Sequence, residues 1–239
     1  MVNSFLPKAC SWISLILLTL SWPAFATEPA NPQPPDFEQS LRVTSDSLPF
    51  ALNATRRLTR QPDGSWQLEV VARNWLGEIR ETTLFSWQDC TPVTTRWAYS
   101  RRGLGQKRQA VLRLDRKGNM AHSQKGDRSR QFPIGARTTD KLSQTLALQC
   151  LLEQGQDQQL VLDVADERER EQVIYQVGAE EWLDTEAGRI RAVRVERLRQ
   201  ADSPRQTLLW FAPEYQHALV RLVQIEDDQR HQMDIVQLP

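Results

Sequence analysis

The sequence has few of the features that would identify a reaction. Its three histidines are His122, His217 and His231, and none lies four residues from another or in the H-E-x-x-H pattern of a zinc protease. The G-x-S-x-G elbow, the phosphate-binding P-loop and the G-x-G-x-x-G fingerprint are also missing. We therefore expect no catalytic residues, no metal and no cofactor, and favour a non-enzymatic protein.

An excess of charge of either sign is missing as well. In 239 residues, 30 Lys and Arg balance 30 Asp and Glu, so the formal net charge is zero. A protein whose whole surface binds nucleic acid usually carries a clear basic excess. We therefore expect no nucleic-acid partner, although the balance does not exclude a local patch of charge.

Long apolar runs are confined to the N-terminus. Lys8 precedes the apolar stretch Ser11–Trp22, which is followed by Pro23 and by Ala24-Phe25-Ala26. A charged start, an apolar stretch of about a dozen residues and an A-x-A site are the three parts of a secretory signal peptide. The stretch is shorter than the roughly 20 residues of a membrane-spanning helix. We predict a signal peptide over residues 1–26, cleavage after Ala26 and no transmembrane segment in the mature chain.

Proline is concentrated directly after the predicted cleavage site. Four prolines fall between Thr27 and Phe37, where they remove backbone donors and favour an extended chain. We predict a proline-rich spacer over residues 27–40. No second linker and no repeat follows, so residues 41–239 are predicted to form one domain.

The main hydrophobic period of this domain is two residues. Apolar and polar side chains alternate along residues 66–73, 79–87 and 93–100, as in strands with one face in a core and one in water. Short segments rich in glycine, proline or asparagine separate them. We predict a mainly β fold, a single antiparallel meander that forms a curved sheet or an incomplete barrel. Further strands are predicted at residues 51–60, 109–115, 159–164, 172–177, 189–198, 207–211, 218–225 and 231–238.

One segment has a helical period instead. Residues 140–153 follow a Thr138-Thr139 cap candidate, and Leu142, Leu146 and Cys150 fall on one helical face. We predict one amphipathic helix of about three to four turns. It is expected to pack on the sheet as a plug or a lid.

Only two cysteines, Cys90 and Cys150, follow the predicted cleavage site. In an oxidising exported compartment, two cysteines in one domain are more often paired than free. We predict a Cys90–Cys150 disulfide that pins the helix to the sheet, with two buried thiols as the alternative. A redox role is not expected, because the C-x-x-C spacing is missing.

Several short motifs occur in a characteristic order along the chain. They are Tyr99-Ser100-Arg101-Arg102-Gly103-Leu104-Gly105 with Gln106-Lys107-Arg108, Thr139-Asp140-Lys141-Leu142-Ser143, Thr185-Glu186-Ala187-Gly188 with Ala192-Val193, Trp210-Phe211-Ala212-Pro213, and Ala218-Leu219-Val220-Arg221-Leu222. Together they resemble an exported bacterial family labelled domain of unknown function 3108. The resemblance spans roughly residues 48–239 and implies a periplasmic protein of a Gram-negative envelope. It supplies no catalytic residues.

Aromatic residues and charge order supply the candidate binding surface. Trp75, next to a turn, and Trp182, in an acidic stretch, are predicted to lie on a rim rather than in the core. Residues 96–130 carry 11 basic against 2 acidic residues, and residues 153–186 carry 11 acidic against 2 basic ones, giving net charges of +9 and −9. The two blocks either pair across adjacent strands or present a basic face to an acidic partner. Arg101, Arg102, Lys107 and Arg108 are the candidate contacts.

Two functions follow from these patterns. The first is a periplasmic envelope protein that binds a hydrophobic or amphiphilic ligand, such as a lipid or lipopolysaccharide, or an envelope protein. The second is a hydrolase of an envelope polymer that uses carboxylates such as Asp140, Asp163 or Glu186, in which case two of them must converge in a cleft. Asp140 is better explained as a residue that caps the start of the helix.

Overall fold

The computed structural model describes residues 1, 33–47, 50–103 and 107–238. Asn31–Pro239 forms one compact unit, and the other unit of the chain, Met1–Ala30, falls almost wholly outside the described residues. The predicted signal peptide at residues 1–26, its cleavage site and the first part of the predicted spacer are therefore outside what the structure describes.

The described part of the larger unit is one sheet of fifteen strands with one α-helix. In several strands buried side chains alternate with more exposed ones, as β2 and β6 show best. The strands are β1 Phe37–Ser45, β2 Leu52–Arg60, β3 Trp66–Asn74, β4 Gly77–Gln88, β5 Thr91–Gly103, β6 Arg108–Asp115, β7 Met120–Lys125, β8 Arg128–Pro133, β9 Thr139–Asp140, β10 Gln159–Ala165, β11 Arg170–Thr185, β12 Gly188–Arg197, β13 Arg205–Ala212, β14 Ala218–Glu226 and β15 Gln229–Gln237.

The strands form a meander that is joined through its own first and last members. The order in the sheet is β8-β7-β6-β5-β4-β3-β2-β1-β15-β14-β13-β12-β11-β10-β9. Every pair is antiparallel except β9 with β10. Because β8 and β9 lie at opposite edges, strand pairing between described residues does not close the sheet into a barrel. The predicted fold class, a mainly β, antiparallel and incompletely closed sheet, is confirmed.

Bulges interrupt the sheet at four strand pairs. The register shifts between β1 and β15, β4 and β5, β11 and β12, and β13 and β14. A bulge adds a residue to one strand and increases local twist, which bends the sheet. The two halves of the sheet can therefore curl around a common interior.

The helix, α1, spans Gln144–Glu153 and lies in that interior. The prediction of a helix in this region is confirmed, but its predicted start at residue 140 is wrong. Thr139 and Asp140 pair with β10 instead, and a turn separates them from α1. Seven of its ten residues are buried, so the helix is enclosed on most sides and is less amphipathic than predicted.

Asp140 anchors the start of this helix. Its carboxylate is fully buried and accepts hydrogen bonds from the Oγ1 atoms of Thr83 and Thr94 and from Oγ of Ser143, each at 2.6 Å. The backbone N–H groups of Leu142 and Ser143 donate to its other oxygen at 2.8 and 3.1 Å. Asp140 thus ties the turn before α1 to β4 and β5. Contrary to the expectation from the sequence, it does not cap the helix itself, because the N-cap residue is Ser143 and no side chain makes a capping hydrogen bond there.

The disulfide anchors the other end of α1. Cys150 in the helix bonds to Cys90 in the turn between β4 and β5, with the two Cα atoms 5.4 Å apart. Both cysteines belong to an apolar cluster with Trp66, Phe85 and Leu146. The predicted pairing is confirmed, and it holds the helix against the same pair of strands that Asp140 binds.

Side chains, rather than strand pairing, join the two edges of the sheet. Lys125 of β7 and Lys141 donate to the Glu167 carboxylate at 2.7 and 2.9 Å, and the Oγ of Ser123 donates to the Glu167 carbonyl oxygen at 2.7 Å. Arg116 donates to the backbone carbonyl oxygens of Thr94, Gly135 and Thr138. We call this set of contacts the seam.

The two charge blocks do not lie on adjacent strands. The basic block occupies β5–β8 and the acidic block lies mainly on β10 and β11, near the opposite edge of the sheet. Among the described residues one ion pair, Lys125–Glu167, joins them. The alternative in which the two blocks pair across neighbouring strands is therefore wrong, because β5–β8 lie at one end of the strand order and β10 and β11 lie at the other.

Four strands were not expected from the sequence. β1 begins at Phe37, so the predicted boundary between spacer and domain at residue 40 lies inside a strand that pairs with both β2 and β15. β7 and β8 contain few apolar residues, and only two side chains of this pair are buried. β9 has two residues. Pairing with neighbours, rather than a hydrophobic pattern, makes these segments strands.

Replacing both cysteines of the disulfide by serine should destabilise the protein without changing the fold. The disulfide closes a loop across 60 positions, for which the chain-entropy relation gives about 4 kcal/mol. We expect a loss of about 2–5 kcal/mol in urea unfolding. Addition of a thiol reductant to the parent protein should reproduce the loss, and equal stability of oxidised and reduced protein would contradict an anchoring role.

The seam should weaken at acidic pH. Burial favours a higher pKa for Glu167, but hydrogen bonds from Lys125 and Lys141 outweigh it and lower the pKa to about 2. A carboxylate with a lowered pKa stabilises the fold above its unfolded pKa, and this contribution is lost as the pH falls towards 2. Glu167→Gln should therefore cost about 2 kcal/mol at pH 7 and almost nothing at pH 2, measured by urea unfolding.

Glu169→Gln is the matched control for the Glu167 prediction. Glu169 is exposed, and it makes no ion pair with another described residue. Its substitution should change the free energy of unfolding by less than about 0.5 kcal/mol. A Glu167→Gln penalty that is the same at pH 7 and pH 2 would show that the ion pairs do not hold the seam.

Candidate functional site

The concave face of the sheet is only partly filled by α1, and two cavities remain. The outer chamber has a volume of about 700 Å³ and is lined by residues of β1–β5, β14, β15 and their turns. The inner chamber, about 370 Å³, lies next to the start of α1. Five residues line both chambers and form the neck between them, namely Val70, Glu81, Leu222, Gln224 and Met233.

The walls of the outer chamber combine an apolar stripe with polar side chains. The stripe comes from alternate positions of neighbouring strands, because every second side chain of a strand faces the same side of the sheet. Cross-strand pairing places Ala72 opposite Ile79 and Val43 opposite Leu52. The apolar lining residues are Val43, Phe50, Leu52, Val70, Ala72, Leu76, Ile79, Leu222 and Met233. Eleven polar or charged residues line the same chamber, so the wall can contact both an apolar and a polar part of a ligand.

Cationic and aromatic side chains surround one end of the outer chamber. Arg101 and Arg102 of β5 line it, and Arg102 also borders a groove with Trp75 in the turn between β3 and β4. Trp75 is 87% exposed. Next to it, a Cβ on Gly77 would collide with the backbone of Arg102 and Gly103, so the two strands approach too closely for any other residue at this position. We call this end the rim.

The rim brings together most of the predicted contact residues. Arg108 pairs with Arg101 across β5 and β6, and Lys107 precedes it in the chain. Trp182 is also exposed, but it lies on β11, outside the strands that line the outer chamber. The Arg189 guanidinium lies 5.1 Å from its ring centroid. The predicted exposure of both tryptophans agrees with the structure, and their role in binding stays a prediction.

Arg56 on β2 is a buried cation in the wall of the inner chamber. It is 2% exposed, and its guanidinium donates to Oε1 of Gln39 at 2.8 Å and to Oγ1 of Thr145 at 3.0 Å. The Phe37 ring lies 4.8 Å away. Among the described residues no carboxylate lies within ion-pair distance of Arg56. Burial lowers the pKa of Arg56 to about 9, which leaves the side chain charged at neutral pH.

The opposite part of the inner chamber carries two more arginines. Arg197 of β12 donates to the Glu171 carboxylate at 2.5 Å. Arg199 lines the chamber, and its Nε is buried without a hydrogen-bond partner among the described atoms. Tyr175 lies nearby, where burial raises the pKa of its hydroxyl, which donates to Oε1 of Gln144 at 2.6 Å. The inner chamber is therefore richer in charged residues than the outer chamber, with seven of 18 lining residues against five of 23.

Glu81 is the acidic residue of the neck. The indole Nε1 of Trp97 donates to its Oε1 at 2.6 Å, and Lys141 lies 4.3 Å above the ring of the same tryptophan. Burial raises the pKa of Glu81, although Lys141 and the bond from Trp97 oppose this. The carboxyl group is thus held by the wall and does not point freely into the passage.

The carboxylates of the hydrolase alternative are held by separate partners. Asp140 is saturated with protein hydrogen bonds, as described above. Asp163 binds Arg170 at 2.5 Å and the hydroxyl of Thr138 at 2.6 Å, and Glu186 pairs with Arg42 at 2.8 Å on an exposed surface. Neither Asp140, Asp163 nor Glu186 lines either chamber.

Two further observations bear on the type of site. Within the described parts of the chain, no group of three or more His, Cys, Asp and Glu residues has the arrangement of a metal site. The same residues contain no helix whose length and apolar character would let it cross a membrane.

Sequence reasoning did not identify Arg56, Glu81 or Arg199. A signal was present for Arg56, because it takes an inward position between Ala54 and Leu58 in the alternation of β2, where an apolar residue is expected. Glu81 likewise takes an inward position in the alternation of β4, between Ile79 and Thr83. Arg199 follows β12 and has no such pattern, so only the folded chain places it in the chamber.

Comparisons with known proteins support the fold and the family. One solved structure, described as a crystal structure of a beta-barrel-like protein of domain of unknown function DUF1849 from Brucella abortus, matches with a TM-score of 0.53 and 9% identity, covering 84% of this chain and 95% of that one. The search among curated proteins gave no match. The family model described as protein of unknown function (DUF3108) matches residues 53–236. The chain therefore belongs to the DUF3108 family.

Proposed function

We propose that this protein is a non-enzymatic periplasmic protein that binds an amphiphilic molecule in the cavity of its curved sheet. The observation that carries the proposal is the pair of adjoining chambers that share five lining residues, one of about 700 Å³ with an apolar stripe and one of about 370 Å³ with more charged walls. Pockets for small molecules usually have volumes of about 300–1,000 Å³.

The difference in polarity between the chambers supports an amphiphile rather than a purely apolar ligand. An apolar chain gains free energy by leaving water for the outer chamber. A buried polar group needs hydrogen-bond partners, and the inner chamber offers these from Arg56, Arg199 and Gln224. One molecule with an apolar and a polar end would satisfy both chambers.

The proposed compartment rests on the N-terminal sequence and on the disulfide. Residues 1–26 have the three parts of a secretory signal peptide, and disulfides persist in oxidising compartments such as the bacterial periplasm. A protein that carries a lipid-like molecule between membranes would need to work in that compartment. Single-chain amphiphiles of the cell envelope are the ligands that we propose.

The rim is the proposed entry. It combines an exposed indole with the guanidinium groups of Arg101, Arg102 and Arg108. Tryptophan favours the boundary between water and an apolar phase, and basic side chains are attracted to anionic head groups. We propose that the rim touches an anionic lipid surface while an amphiphile enters the outer chamber.

Val70→Trp should block binding by filling the neck. Val70 lines both chambers from β3, so an indole there occupies the passage that a bound chain would use. We expect about a ten-fold or larger loss of affinity for a fluorescent fatty-acid probe. Protein purified from the periplasm should also lose any lipid that organic extraction and native mass spectrometry detect on the parent protein.

Gln67→Trp is the matched control for this variant. It adds the same side chain to the same strand, three positions away, on the face that turns from the chambers. It should bind the probe like the parent protein. If Val70→Trp folds and binds equally well, or if the parent protein carries no lipid and binds no probe, the proposed function is wrong.

Trp75→Ala should slow uptake without loss of stability. The side chain is 87% exposed, so its removal should change the free energy of unfolding by less than about 0.5 kcal/mol. Transfer of the probe from vesicles with phosphatidylglycerol should slow about three-fold or more, and less at high salt. Trp182→Ala is the comparison, because Trp182 lies away from the outer chamber, and equal rates for both variants would exclude a special role of the rim.

A further inference from the structure

The charges of the inner chamber are unevenly compensated. Arg197 has Glu171 as its partner, and Lys141 has Glu167. Asp166 accepts hydrogen bonds from the backbone N–H groups of Arg168 and Glu169. Arg56 and Arg199 are left with no carboxylate partner among the described residues.

Of these two arginines, Arg56 gives the stronger indication that the chamber binds an anion. A buried charge is costly unless an opposite charge or several hydrogen bonds compensate it. Its hydrogen-bond partners among the described residues, Gln39 and Thr145, are neutral and take up two of its five N–H groups. A guanidinium that lines a cavity in this way can donate further hydrogen bonds to an acceptor inside the cavity.

Arg199 supplies an independent sign of a missing acceptor. Its Nε is buried without a partner, and the bond from its Nη2 to Oγ1 of Thr207 is long at 3.4 Å. Buried N–H groups of folded proteins are almost always paired with protein or water. Arg199 lies just after β12 and Arg56 lies on β2, so two cations without a carboxylate partner line the same chamber from different parts of the sheet.

We propose that the inner chamber is an anion subsite, which holds the carboxylate or phosphate end of a single-chain amphiphile by means of Arg56 and Arg199. This inference rests on the proposed function and adds the orientation of the ligand. The charged end lies deepest, next to the start of α1, and the apolar chain passes the neck into the outer chamber. The ligand is thus recognised by its acidic end, because an apolar wall alone does not distinguish one chain from another.

The orientation follows from where the compensated charges lie. If the charged head group of the ligand lay at the rim, it would contact water and the exposed arginines. The apolar end would then lie in the inner chamber against Arg56, which has no carboxylate partner. Bound with its head inside, the ligand supplies the negative charge that Arg56 lacks. Glu81 in the neck does not oppose this entry strongly, since Trp97 and Lys141 hold it and burial favours its neutral form.

The test compares ligands that share a chain and differ in the head group. Isothermal titration of the mature protein with a long-chain fatty acid, the alkyl phosphate and the alcohol of equal length should give at least about ten-fold tighter binding for the two anions. Acetate and inorganic phosphate should bind far more weakly than the long-chain anions. If the small anions bind as tightly as these, the chamber is a site for free anions and the proposed orientation is wrong.

Two variants assign the preference to the chamber. Arg56→Gln should lose the preference for the acid over the alcohol, and Arg199→Gln, at a less buried position, should reduce it in the same direction. Arg113→Gln removes the same charge from the exposed face of β6, which does not line the chambers, and should keep the full preference. Thermal unfolding tests whether each variant is folded. If Arg56→Gln does not fold, the comparison of acid and alcohol on the parent protein and on Arg199→Gln tests the anion subsite.

The outcomes separate this inference from the proposed function. If the acid and the alcohol bind the parent protein equally, or if folded Arg56→Gln and Arg199→Gln keep the preference, the anion subsite is refuted while amphiphile binding stands. If no long-chain ligand binds at all, both proposals fail. A ten-fold preference that disappears in the variants supports both.

Discussion

The structure depends on a helix that is held at both ends inside a curved sheet. Alone, a helix of ten residues is marginal in water, because nucleation is costly and few hydrogen bonds repay it. Asp140 binds its start to β4 and β5, and the disulfide binds Cys150 to the turn between the same strands. These two anchors hold the helix in the concave interior, where it packs on strands from both halves of the sheet, and the chambers lie in the space that it does not fill.

The open half is possible because the sheet is not closed by strand pairing. A regular barrel of this many strands would need a register that closes on itself, whereas here the last strands meet the first part of the sheet through Arg116, Ser123 and Glu167. Such side-chain contacts join the two edges of the sheet, but they do not fix a hydrogen-bond register between the edge strands. They let the sheet curl around a helix, and they make closure sensitive to the charge of one carboxylate.

The cavity also explains why charged residues lie in the interior of this protein, since Arg56 and Glu81 both line the inner chamber. Arg56 and Glu81 occupy inward positions one strand apart on either side of Val70. Burial of charge weakens a fold unless something compensates it, so two such residues in one row of the sheet are more easily understood as part of a binding site than as core residues.

The sequence predicted the strand-rich fold well, and the physical reason is local. In β3, β4 and β5 the apolar residues recur every second position because one face is buried, and that pattern can be read without knowing the neighbours. The same pattern does not predict β7 and β8, because their side chains are mostly polar. The main local sign of this hairpin is Gly126, a glycine at positive φ in its turn. The sequence also predicts the helix, but it places Asp140 inside the helix and Thr139 at its cap, because the pairing of these two residues with β10 cannot be read from the local pattern.

The sequence by itself determined the mainly β class, the pair of cysteines that forms the disulfide, and the position of one helix. Each depends on local periodicity or on a small number of cysteines, so few alternatives exist. Only the tertiary structure decided where the charges lie. The +9 and −9 blocks end near opposite edges of the sheet, and Arg56, Glu81 and Arg199 meet around one chamber although they are far apart in the chain. Such juxtapositions depend on the order and curvature of fifteen strands, which are set by contacts between distant residues.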